Sequence, residues 1–147
     1  MAARRLAADC LRLLGASPAT VAVTGDHDRA LIAALGACGA AAPPDGAAAA
    51  VVSFRGAPAD PAVRQACLAA VRRRLPPGAP LLLVDHNQPR TLGRRLVGVA
   101  QLAVVGLGAA RARYPAAREL AALGFAVERL RLACGERVQL VLARVPD

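Results

Sequence analysis

The sequence predicts an α/β fold in three layers, built on a mostly parallel sheet that finishes in an antiparallel C-terminal hairpin. Three observations carry this. Apolar runs of strand length at 20–24, 49–54 and 81–84 are each followed by a stretch with helical character, the alternation expected of strand–helix–strand units. The third run, Leu81-Leu82-Leu83-Val84, is apolar throughout, as a central strand covered on both faces must be. Finally, two strand-like runs, 125–132 and 137–145, flank the turn Cys134-Gly135-Glu136.

Each element has its own local reason. Leu6, Cys10, Leu13 and Leu14 share one face of a helix over 2–14, closed by Gly15 and the Ser17-Pro18 turn. The strand 20–24 ends at Gly25, and Asp26 or Asp28 can cap the helix carrying Leu31, Ile32 and Leu35, which Gly36 ends. A short edge strand before the Pro43-Pro44-Asp45-Gly46 turn fits the next stretch. Asp60-Pro61 is an N-cap with proline at the first helical position. Val63, Cys67 and Val71 then mark an apolar face, and Arg72-Arg73-Arg74 complement the helix C-terminus before Pro76-Pro77-Gly78 stops it. After the third strand comes an apolar segment, 96–110, that begins at Leu96 and closes at Ala110. A helix over 115–123 follows, with Gly124 as its terminator.

Composition narrows the function classes. A chain of 147 residues fits one domain, 1–147, with a core of its own. Aromatic residues are only 2% of it, so Leu, Val and Ala must build that core. The formal charge is +9 and every basic residue is arginine. The arginines are scattered and no aromatic platform accompanies them, so specific nucleic-acid binding is not expected. Cys10, Cys38, Cys67 and Cys134 form no close pair, and only His27 and His86 could join them, so no metal site is expected. No secretory signal is visible, which places the chain in the cytoplasm as an expectation. The segment 96–110 is too short to span a bilayer and reads as a buried or interface helix, through which a homodimer or a partner chain would form.

Three further stretches carry a resemblance. The run Arg74-Leu75-Pro76-Pro77-Gly78-Ala79-Pro80-Leu81-Leu82-Leu83-Val84-Asp85, the run Ala121-Ala122-Leu123-Gly124-Phe125-Ala126-Val127, and the strand from Gly135 to Arg144 follow one another in a recognisable order. From about residue 72 onward the chain resembles the class I S-adenosylmethionine-dependent methyltransferases. That resemblance implies a Rossmann-like three-layer sandwich, S-adenosylmethionine (SAM) as cofactor and a small-molecule acceptor. In the cofactor motif, Val21-Ala22-Val23-Thr24-Gly25-Asp26-His27-Asp28-Arg29 stands in the family's place. Gly25 matches the first glycine, Val23 replaces the acidic residue, and His27 and Arg29 replace the later glycines, where a Cβ obstructs backbone approach to a ligand. The stretch before Val51 also lacks room for the usual second and third strand–helix units.

The resemblance implies Gly25, Asp26, His27, Ser53 and Phe54 as cofactor contacts, with Asp45 at the distance of a ribose-binding carboxylate. Asp85-His86-Asn87 close a central strand, where open α/β sheets bind ligands, and His86 is the candidate general base. Two functions follow. One is a SAM-dependent methyltransferase, a reaction that asks for alignment more than for catalytic side chains. The other is a non-catalytic protein of the same fold, a pseudoenzyme that acts as a binding or dimerisation partner.

Overall fold

The computed structural model describes residues 2–147. Helix α1 (Ala2–Leu14) is followed by β1 (Val21–Thr24), α2 (Arg29–Ala37), β2 (Ala49–Ser53), α3 (Pro61–Arg74) and β3 (Pro80–His86). Then come α4 (Leu92–Val104), a 3-10 turn (Ala109–Arg113), α5 (Ala116–Ala122), β4 (Ala126–Ala133) and β5 (Val138–Arg144). The strands form one sheet in the order β1-β2-β3-β5-β4. The first three are parallel, and β5 runs antiparallel to both β3 and β4. The expected parallel sheet with a closing hairpin is therefore present.

Alternation along the strands builds the layers. Val21, Val51, Leu82, Val84 and Leu140 face α1 and α2, where they pack on Leu6, Cys10, Leu31 and Leu35. Ala22, Val52, Leu81, Leu83 and Val141 face the other way, onto Leu68 of α3 and Leu120 of α5. Successive side chains on a strand point to opposite faces, so a strand covered on both sides must be apolar at every position. The central strands β2 and β5 are buried along nearly their whole length. Strand β4 is the exposed edge, and Glu128, Arg129 and Arg131 along it discourage pairing with another chain.

Four local readings need correction. The apolar segment 96–110 is not one helix: α4 starts earlier, and Gly106 at φ +74° ends it before the 3-10 turn. Most of α4 is exposed, with Leu102 its one buried residue. On α3 the buried residues are Arg64 and Leu68, while Val63 is 64% exposed. The stripe Arg64, Leu68, Val71 and Leu75 keeps helical spacing, with an arginine occupying its first apolar position. Between α2 and β2 there is no strand, and the Ala42 N–H donates to the Val21 carbonyl across the outer edge of β1. Strand β1 thus ends the sheet on that side. No helix among the described residues is long and apolar enough to cross a membrane.

Candidate functional site

Parallel pairing brings the ends of β1, β2 and β3 to one rim. Thr24 pairs with Val52, and Ser53 pairs with Val84. Gly25 leaves β1 at φ +150° and lies directly against β2. A Cβ there would stand 2.6 Å from the Ser53 carbonyl oxygen. Glycine is required at this point by the neighbouring strand.

The mouth next to Gly25 is occupied by the chain's own polar groups. Asp28 is buried and caps α2, accepting from the Leu31 N–H at 3.4 Å. Its other oxygen accepts from the Ser53 hydroxyl at 2.8 Å and pairs with Arg55 Nη1 at 3.3 Å. The Ser53 oxygen also accepts from the Arg55 N–H at 3.4 Å. Of the two aspartates that could cap α2, Asp28 does so; Asp26 and His27 are exposed beside it.

The remaining sequence candidates separate. Phe54 is buried against α3, its ring centroid 4.1 Å from the Arg64 guanidinium carbon. Asp45 precedes the first residue of β2 and therefore lies toward the opposite rim, 86% exposed and 3.3 Å from Arg74. This corrects its placement as a ribose ligand near Gly25: the turn it occupies leads into the strand, not out of it. His86 stays at the rim, where its Nε2 accepts from the Gly56 N–H at 3.0 Å. Burial, and then the positive charge of Arg111, lower the His86 pKa to about 4. The ring is neutral at physiological pH, with one lone pair already engaged.

Beneath the rim lies a charge network that sequence reasoning missed. Asp85 is fully buried between Arg64 and Arg111, accepting from Arg64 Nη2 at 2.8 Å and Arg111 Nη2 at 2.5 Å. Arg64 also donates to both Glu119 oxygens, at 2.7 Å from Nη2 and 3.0 Å from Nε. Arg111 donates to the carbonyls of Ala57 and Phe54, each at 2.9 Å. The Tyr114 hydroxyl donates to Glu119 at 3.1 Å, and the Tyr114 ring lies 3.9 Å from the Arg64 guanidinium. Two cations face two anions, so the buried charges balance. Burial opposes the charge on Arg64, and Glu119 and Asp85 more than offset it, leaving its pKa raised. The network joins α3, β3, the 3-10 turn and α5. One signal in the sequence pointed to it: the arginine on the apolar stripe of α3.

Above the rim a cleft of about 410 Å³ opens between the strand ends and α4. His27, Asp28, Gly56 and His86 form its floor, and Val99 and Leu102 of α4, with Val105 just past its end, give it an apolar wall. Arg55, Arg95 and Arg137 also line it, against Asp28 as the one carboxylate. Among the described residues no group of His, Cys, Asp and Glu is arranged to hold a metal ion.

No protein-family model matches the sequence, and neither does any curated protein. Solved structures do match in shape. The pyocyanin biosynthetic protein PhzM superposes with a TM-score of 0.68 at 16% identity, over 98% of this chain and 54% of that one. The mitomycin 7-O-methyltransferase MmcR gives 0.64 at 23% identity, over 97% of this chain and 52% of that one. Human N-acetylserotonin methyltransferase in complex with SAM gives 0.59 at 12% identity, over 96% of this chain and 52% of that one. The chain therefore has a methyltransferase-like fold, and it spans about half the length of the structures it matches.

Proposed function

We propose that this chain is a methyltransferase-fold protein that works by binding and does not itself hold SAM. The observation that carries this reading is the polar staple at the mouth of β1: Asp28, Ser53 and Arg55 satisfy one another where an adenosyl ligand would need free groups and open backbone. Two features add support. Strand β1 ends the sheet, so no strand on its outer side brings a carboxylate to a ribose there. SAM also carries a sulfonium and an ammonium against one carboxylate, a net positive charge, and the cleft presents three arginines against one aspartate. The residues present do not fit the cofactor, so no methyl-transfer step and no methyl acceptor is assigned. Isothermal titration calorimetry with SAM and with S-adenosylhomocysteine tests the reading. No heat of binding at millimolar ligand is the expected result; a saturable isotherm with either compound overturns it and restores the enzyme.

The outer face of α4 supports a self-associating protein. Leu92, Leu96, Val97 and Val104 are each more than half exposed. Together they make an exposed apolar stripe, the kind of surface that marks an interaction site. A standard interface takes about 800 Å² from each partner. The exposed Gly93, Ala100 and Ala103 on the same face extend the patch toward that size and let two helices approach closely. The occupant proposed is a second copy of this chain.

A further inference from the structure

We propose that the cleft beneath α4 is a binding site for a small organic anion: a carboxylate or phosphate group held by Arg55, Arg95 and Arg137, with an apolar body against Val99, Leu102 and Val105. It deepens the binding reading above, on which it rests only in taking the cleft to be free of an adenosyl cofactor.

The argument starts from where the cations go. This chain pairs its buried charges carefully: Arg64 and Arg111 meet Asp85 and Glu119, two against two. The cleft breaks that pattern. Among the described residues Arg95, half-buried in its wall, forms no ion pair. Arg137 donates to neutral partners, Gln101 Oε1 at 2.8 Å and the Cys134 carbonyl at 3.0 Å, which leave its charge uncompensated. Arg55 shares Asp28 with the Ser53 hydroxyl. Three guanidiniums lining one concavity with a single carboxylate repel one another until an anion enters.

The geometry also holds two of the three. The bonds to Gln101 and Cys134 fix the Arg137 fork, and Asp28, itself locked as the α2 cap, steadies Arg55. Less side-chain freedom is then lost when a ligand arrives. Planar guanidiniums suit carboxylate and phosphate oxygens through paired N–H donors. The volume, about 410 Å³, exceeds what a bare inorganic anion would fill and suits a ring or short chain behind the charged group. His86, its Nε2 engaged by Gly56, brings no second charge to the floor.

Phenyl phosphate and benzoate are the anionic probes, benzylamine the cationic counterpart and inorganic phosphate the body-less control. Titration is followed by amide chemical shifts in the ¹⁵N-labelled full chain. Saturable shifts at Gly56, Gly98 and Val138 with phenyl phosphate or benzoate are expected, and the tighter of the two identifies the preferred head group. Inorganic phosphate should bind at least about ten-fold more weakly. Arg95→Gln removes a side chain that forms no ion pair among the described residues, and should weaken the organic anion by about five-fold or more, whereas Arg118→Gln, at an exposed position of α5 away from the cleft, should not. Equal binding of benzylamine, equal losses from the two variants, inorganic phosphate binding as tightly as phenyl phosphate, or no saturable shift with any probe overturns the proposal. Saturable binding of SAM that leaves the anion response and its Arg95 dependence in place would overturn the earlier reading and leave this one standing.

Discussion

The Nε2 of His86 accepts a hydrogen bond from the Gly56 N–H at 3.0 Å, which ties the end of β3 to the loop after β2. A protonated imidazole has no lone pair at that nitrogen, so protonation breaks the tie. The folded pKa, about 4, lies below the ordinary 6.5, so the unfolded chain binds the extra proton first as pH falls. The stability contributed by neutral His86 is complete above pH 6.5 and is lost as pH falls toward 4. Allowing for solvent screening at a half-buried ring, that contribution is about 1–2 kcal/mol. Urea denaturation at several pH values should show this slope in the wild type and a flatter one in His86→Gln, whose amide oxygen keeps an acceptor but does not titrate. Equal slopes would show that the ring is not the titrating group.

Asp85→Asn should be among the most damaging conservative changes in the chain. It leaves Arg64 with Glu119 alone and Arg111 with no carboxylate partner, both in a buried setting. Removing one partner from such a network costs about 3–5 kcal/mol. Equilibrium unfolding measures this directly, and a loss under about 1 kcal/mol, the level of exposed pairs, would mean that water reaches the network.

Gly25→Ala should destabilise the fold with no ligand present. The new methyl would meet the Ser53 carbonyl at 2.6 Å, at a φ that side chains rarely adopt. Strain and overpacking together cost about 2–4 kcal/mol. Thermal unfolding of the isolated chain is the readout; an unchanged midpoint would mean that this glycine is kept for some purpose other than strand packing.

The exposed face of α4 predicts a dimer. Light scattering should give twice the chain mass, and Leu96→Glu combined with Val104→Glu should return the monomer with its circular dichroism unchanged. A wild-type chain that stays monomeric at high concentration removes the α4 seam.

How far the sequence reaches is visible in particular residues. The alternation of buried strands and helices placed β1, β2, β3 and the closing hairpin, because side-chain period alone decides which faces are covered. Gly25, His27, Ser53 and His86 stand at or just past strand ends in the sequence, and the parallel register brings those ends to one rim. The spacing that suggests Asp45 for a ribose is distance along the chain alone, which does not reveal that its turn enters β2 from the far side. At the end of its strand Phe54 is open to either ligand contact or core packing by sequence, and it packs beneath Arg64. The Arg64–Asp85–Arg111–Glu119 network joins residues as far as 55 positions apart, a pairing that no local pattern encodes. The cleft is equally hidden, because Arg55, Arg95 and Arg137 come from a loop, a helix and a turn far apart in the chain.

One titration bears most directly on whether this fold has become a binding protein. ¹⁵N-labelled chain is titrated with S-adenosylhomocysteine to millimolar concentration, with the Gly25, Asp26 and His27 amides observed. Those resonances should stay where they are, because the Asp28–Ser53–Arg55 staple already fills the mouth of β1. Saturable shifts at the three amides would contradict the account and place an adenosyl ligand at this rim.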